Sequence, residues 1–377
     1  MWNIWKEEVY KIASRKILWI GLFLLLAFVS LRLFTERDHY SATIDGKIYR
    51  GQKAIEKDQQ LTAKYAGILT DEKVQNIYED FGFSYYHTQA DANSGNFCNE
   101  WITRHMTNYN QIADNHPIDA QILDDIQFLQ GDAWETYAAP FLNETIWFDY
   151  TYGWNDLKET YSFMTIALFV LFMIGLSPIF SEEYMLKTAD ILLTTKRGKK
   201  SCIWIKMGAS LSFITILYVV FSIYLWVIYR IVYGTQGLEA SPAMIGLTPT
   251  AYMPDDIHAF FYLSFGLGLA GILLLTCISM AISSLCKNSF LTILLCLAVF
   301  FLPYVWLNVL AVMVSPFFSN ALWKAITYLM ISMPLCLPVN WGFAFSLEQI
   351  GMHIAVALAV GIACALAGYW KFRNYQG

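Results

Sequence analysis

The sequence predicts an all-α integral membrane protein: six transmembrane helices, an N-terminal interfacial elbow helix and a mostly helical extracytoplasmic domain. Three observations predict it. Hydrophobic residues make up 56% of the 377 residues and charged residues only 15%, with a mean hydropathy of +0.42; soluble chains carry about 25% charged residues. Long apolar runs recur at residues 17–34, 161–180, 207–229, 258–285, 289–314 and 350–369, each close to the ~20 residues that carry a helix across a bilayer core. The charge is also unevenly spread. Residues 35–160 hold 9 Lys/Arg against 21 Asp/Glu, a net of −12, and the remainder holds 16 against 9, a net of +7, so the formal −5 describes neither part. This composition excludes a disordered chain, a collagen-like fibre and a basic nucleic-acid-binding domain.

Residues 1–16 read as the elbow helix. Trp2, Trp5, Val9 and Ile12 recur at helical spacing, with Lys6, Glu7, Lys11 and Arg15 on the other face, a pattern that suits a membrane interface. The first span, 17–34, has the basic flank of a signal peptide, but the amphipathic segment before it argues for a retained helix. Lys and Arg then set the orientation. They cluster before span 1, between spans 2 and 3 (Lys187, Lys196, Arg197, Lys199, Lys200, Lys206), at Lys287 and after span 6 (Lys371, Arg373). With alternating spans all of these fall on one side, the cytoplasm, which then holds both termini. The opposite side receives residues 35–160, the loop 231–257 and the stretch 315–349. That stretch contains a short apolar segment broken by Pro334 and Pro338, and reads as a re-entrant or interfacial element.

The region 35–160 has the size of one domain. Helices are expected over 51–65, from an N-cap at Thr70 followed by Asp71 and Glu72, and over 119–129, where Ile122, Ile126 and Leu129 share a face. Of seven cysteines only Cys98 lies here, so no internal disulfide can staple it. The adjacent acidic pairs Glu79–Asp80 and Asp124–Asp125 point apart on a helix and share no ligand. Asn143–Glu144–Thr145 matches a glycosylation acceptor, a short and frequent pattern.

Chemistry-bearing motifs are scarce. The chain has no GxxxxGK[ST], HExxH, GxSxG or calcium-loop pattern, so any energy for transport arrives through a partner. Arg32 and Arg230 sit at span ends, where they can snorkel, and His353 near the start of span 6 reads as a packing residue. Gly266, Gly268 and Gly271 on span 4 permit close helix approach.

One segment stands apart. From Phe180 the chain runs acidic (Glu182, Glu183), then apolar (Met185, Ile191, Leu192, Leu193), then basic, into span 3 at Lys206. This order resembles the loop between the second and third spans of ABC-2 type permeases, the membrane subunits of one class of ABC transporter. The matching residues are Phe180, Glu182 or Glu183, Thr188, Leu192, Leu193, Arg197 and Lys206; Lys187 replaces the usual Gly, and the usual Pro is absent near Thr195. The segment Trp5–Ile12 is similar to the family's elbow helix. The resemblance implies a multi-pass permease of the bacterial cell membrane, paired with a second identical or homologous permease. It implies no cofactor in this chain, ATP and Mg being bound by a separate cytoplasmic ATPase subunit. The loop 181–206 would be the coupling helix, its contacts Glu182, Glu183, Thr188, Leu192, Leu193 and Arg197. The implied function is export, for example of an antimicrobial peptide, a drug or another amphipathic molecule. Two other classes stay open: a receptor or sensor whose external domain binds a ligand, and a membrane-embedded enzyme, for which no convergent polar set is found.

Overall fold

A computed structural model describes residues 2–84, 95–113, 125–134, 138, 146–195, 198–247, 254–310, 320–338 and 347–374. Six of its helices are long and apolar enough to cross a membrane. In order they are span 1 (Lys16–His39), span 2 (Tyr152–Leu176, followed by the separate short helix Pro178–Met185), span 3 (Ile203–Tyr233), span 4 (Ile257–Leu285), span 5 (Ser289–Val305, followed by a π-helical turn Trp306–Leu310) and span 6 (Leu347–Arg373). Polar first turns such as Tyr152–Asp156 and Leu347–Gln349 continue these helices beyond the apolar runs, because helical hydrogen bonding does not stop where hydropathy does.

Two compact units divide the chain: Met1–Phe28, Thr160–Leu225 and Tyr262–Gly377 form the first, and Val29–Glu159 with Trp226–Phe261 the second. The first is built around spans 2 and 4, whose most apolar stretches are 67% and 61% buried, against 22% for spans 1, 5 and 6. Phe23, Phe290 and Ile362 on those outer spans are 60–75% exposed, a surface that suits an apolar surrounding such as lipid. Close approach rests on small residues. A Cβ on Gly21 would lie 2.4 Å from a methyl of Leu171, and one on Gly175 2.3 Å from a methyl of Leu18. On span 4, Gly268 leaves room for a hydroxyl pair: the Tyr161 and Tyr218 oxygens lie 2.7 Å apart, the Tyr161 hydroxyl donating to the Ser264 carbonyl and the Tyr218 hydroxyl to the Phe265 carbonyl. Gly271 adjoins Phe169 and the Pro334 carbonyl, whereas Gly266 faces open space and needs no glycine.

Helix Asn320–Ile331 ends three residues before Pro334, and the turn that follows buries Leu335, Cys336 and Leu337. His353 stacks on Tyr328 at 4.0 Å and meets Ser332 Oγ at 2.8 Å, a packing arrangement.

The second unit contains two features that helical periodicity does not predict. Ser41–Ile44 and Lys47–Arg50 form an antiparallel hairpin turned by Asp45 and Gly46, both with positive φ (52° and 70°), the hallmark of an Asp-Gly type I′ turn. Gly67–Ile68 pairs with Trp147–Phe148. Helix Gln52–Thr62 follows the hairpin, and Thr70 caps helix Asp71–Phe81 by accepting from the Lys73 amide at 3.2 Å. Asn96 closes a reciprocal capping box with Asn99 on helix Phe97–Met106.

The helix expected over 119–129 is corrected where it can be seen. Residues 119–124 lie outside the described residues, as does Asn143–Glu144–Thr145. Residues 125–129 are not α-helical: Phe128 bridges Thr107 in antiparallel fashion, and the Leu129 amide donates to the Met106 carbonyl. The cause is Asn108, whose side chain accepts from the Gln127 amide and donates to the Asp125 carbonyl, competing with helical hydrogen bonds. Arg32 does not simply snorkel. Its guanidinium lies 2.5 Å from Asp156, which also accepts from Tyr229.

Asp58 ties this unit together at 1% exposure, accepting from Tyr40 OH at 2.6 Å and from the Phe97 amide at 3.0 Å. Burial pushes its carboxyl up to about 7, although both hydrogen bonds pull it down; Glu100 adds to the rise. A carboxyl raised in the folded state holds its proton more tightly there. Its stabilising contribution is therefore complete below its unfolded value near ~4 and is lost as pH rises through 7. The melting-temperature advantage of the wild-type chain over Asp58→Asn in detergent should be largest at about pH 4 and shrink steadily toward about pH 8. An advantage that grows with pH contradicts the assignment.

Candidate functional site

The loop between spans 2 and 3 is a pair of short helices. A turn at Ser177 leads into Pro178–Met185, with proline in the first turn, where it forfeits no helical hydrogen bond. Leu186 and Lys187 turn the chain into helix Thr188–Thr194. Lys187 has φ 55°, the left-handed region. A glycine would adopt it without strain, which is the physical content of the glycine that the ABC-2 pattern has there.

Several elements of the first unit grip the loop. The Phe180 and Ser181 amides donate to Ser283 Oγ at 3.0 and 3.1 Å, and Tyr184 OH donates to the Ser284 carbonyl at 3.0 Å. Phe372, in the last turn of span 6, packs on Phe180 and Tyr184 with ring centroids 4.7 and 5.5 Å away.

The strongest grip is electrostatic. The Lys206 side chain, 4% exposed, pairs with Glu183 and lies 3.6 Å from Glu8, themselves 10% and 8% exposed. Lys11, 57% exposed, reaches both carboxylates, at 3.1 Å for Glu8 and 3.8 Å for Glu183. Two cations thus balance two carboxylates. Among the described residues Glu183 Oε2 is buried without a hydrogen bond, so the cluster's balance rests on charge. Arg15 adds a second tie, donating to Glu182 and to the Gly175 carbonyl, both at 2.6 Å. The N-terminal helix Trp2–Ala13 is therefore bolted to the loop along one face.

This geometry redistributes the predicted contacts. Glu183 and Leu193 are buried, at 7% and 5% exposure, and face the protein's own interior. Glu183 is engaged by Lys206 and Leu193 is packed within the chain. Glu182 and Thr188 are exposed, and Leu192 is half-buried; Arg197 lies outside the described residues. Met185 and Ile191 on the two helices and Leu186 in the turn between them are exposed apolar side chains, at 56%, 71% and 64%. On the N-terminal helix, Trp2 is exposed and stacks on half-buried Trp5 at 4.9 Å, Val9 is half-buried and Ile12 is buried. Glu8 escaped the sequence reading, yet its spacing from Trp5 and Ile12 places it on the apolar face, where a carboxylate needs a counter-charge.

The family profile described as "ABC-2 family transporter protein" matches residues 2–335. The chain belongs to the ABC-2 family of transporter proteins. No curated protein and no solved structure matches it. As an ABC-2 permease it is a multi-pass membrane component of an ABC transporter. Phe180, Glu183 and Lys206, three positions of the family-like pattern, form one buried contact here: the Lys206 ammonium also lies 5.6 Å from the centre of the Phe180 ring. Replacing Lys206 with Met strands two buried carboxylates with only half-exposed Lys11 to offset them. The loss should be about 3–5 kcal/mol, read as a lower melting temperature of the purified permease; an unchanged melting temperature contradicts a structural charge cluster.

Proposed function

We propose that this permease belongs to an ATP-driven exporter and that a separate cytoplasmic ATPase subunit seats on the loop 181–206. The observation that carries the reading is the patch Met185, Leu186 and Ile191, exposed on two short helices that the surrounding elements hold from behind. Apolar side chains displayed on a clamped loop, outside the apolar stretches that face lipid, suit a groove on a partner. Glu182, Thr188 and Leu192 flank or continue that surface, and the family resemblance adds Arg197 to the contact.

The basic residues that flank the loop support its placement in the cytoplasm. ATP and Mg belong to the partner, and no residue of this chain is assigned a catalytic role. In this reading, nucleotide-driven closure of the ATPase displaces the loop, and the Glu183–Lys206 pair carries that displacement into spans 2 and 3. A second permease, identical or homologous, completes the assembly, as the family resemblance implies. The substrate class proposed is an amphipathic molecule such as an antimicrobial peptide or a drug, and nucleic acid is not a partner. Trp2 and the stacked Trp5 support a lipid-interface seat for the N-terminal helix.

The variant Ile191→Asp/Leu192→Asp tests the docking, since neither residue is buried. Pull-down through this chain should retain the ATPase subunit with the wild type and lose it by at least about tenfold with the variant, at unchanged melting temperature. Full retention together with ATP-driven transport overturns the proposal.

A further inference from the structure

The second unit holds a partly open cavity of ≈ 590 Å³, whose described wall residues all belong to that unit. Nothing in the coupling reading uses it. Its size is that of a site for a drug-sized molecule. The floor is apolar and aromatic: Tyr40, Phe97, Trp101 and Met244 line it and are each at most 9% exposed. The rim is charged, and the state of those charges decides what the cavity accepts.

The two permanent cations of the wall are already engaged. Arg104 lies 2.6 Å from Glu100, and Lys158 donates to the Ile245 carbonyl. His105 stacks on Trp101 at 4.4 Å and keeps Nδ1 2.9 Å from the Trp101 carbonyl; burial holds its imidazole below the usual value, so it is neutral at pH 7. The carboxylates Glu36 and Glu159 remain. Glu36 is half-buried and Glu159 exposed; Glu36 acts electrostatically on Arg32 and Glu159 on Lys158, so they are the wall carboxylates still open to an incoming cation. The region 35–160 carries a net −12, a field that draws cations toward it.

We propose that this cavity binds an amphipathic organic cation, its ammonium or guanidinium group held by Glu36 and Glu159 and its apolar body laid on Tyr40, Phe97 and Trp101. Aromatic faces and carboxylates reinforce each other for such a ligand, because the ring quadrupole attracts the same positive charge that the carboxylates pair with. An anion would have to compete with Glu100 for Arg104 and with a backbone carbonyl for Lys158. No residue of the loop 181–206 lines the cavity, so this inference stands or falls apart from the ATPase proposal.

The test uses the full chain in detergent and three probes with an aromatic body and different heads: phenethylamine, 3-phenylpropanol and 3-phenylpropionate. Saturation-transfer NMR should detect saturable binding of the amine, weaker binding of the alcohol and none of the carboxylate. In Glu36→Gln/Glu159→Gln, amine binding should weaken at least about tenfold while the melting temperature stays unchanged. Trp101→Leu should weaken the amine and the alcohol together. The proposal is overturned if the carboxylate binds as well as the amine, if all three bind alike, if no probe saturates, or if the glutamine variant binds the amine at wild-type strength.

Discussion

Lys206 is 4% exposed and lies between Glu8 and Glu183, carboxylates that are themselves almost fully buried. Taking three charges out of water costs several kcal/mol each, and the cost is recovered only if they stay together. They come from three separate segments: the N-terminal helix, the loop after span 2 and the start of span 3. Because the charges cannot separate cheaply, the segments cannot either. The same constraint orients the loop. With Glu183 and Leu193 turned inward, helical geometry turns Met185 and Ile191, each two residues away, outward, and the turn after Met185 exposes Leu186. An apolar contact surface is thus a consequence of where the buried charge sits, and the proposed seat of the ATPase follows from it.

Much of the architecture was legible because the signals were local and repeated. Apolar runs of bilayer length marked six spans, and Thr70 with Asp71 and Glu72 announced a helix start that the Lys73 amide confirms. The hairpin at residues 41–50 was also written locally, in Thr43–Ile44–Asp45–Gly46–Lys47, although a helical reading passes over it. The pairing of Gly67–Ile68 with Trp147–Phe148 is different: two-residue strands nearly eighty positions apart leave no periodicity to find. The failed helix at 125–129 shows a side chain, Asn108, overriding a pattern of apolar spacing from seventeen residues away.

The site was legible in part, for the same reason. The loop was recognised from its order of acidic, apolar and basic residues, but which of two adjacent glutamates faces inward depends on helix phase. Phase was fixed by partners remote in sequence, Glu8 and Lys206 for Glu183 and Arg15 for Glu182. Leu192 and Leu193 part in the same way, one half-buried and one buried. The charge split of the chain also acquires a structural sense. The acidic region forms most of a unit with its own buried Asp58 and its own cavity, while the basic remainder supplies the lysines that close the loop cluster.

The most direct measurement of this account is a double-mutant cycle between Glu183→Gln and Lys206→Met, read by reversible unfolding of the purified permease. If the buried pair fixes the loop, each single substitution is costly and the double variant recovers part of the loss, with a coupling of at least about 1.5 kcal/mol. Additive losses, within about 0.5 kcal/mol, would show that the two residues stabilise the chain independently and that no charge cluster holds the loop.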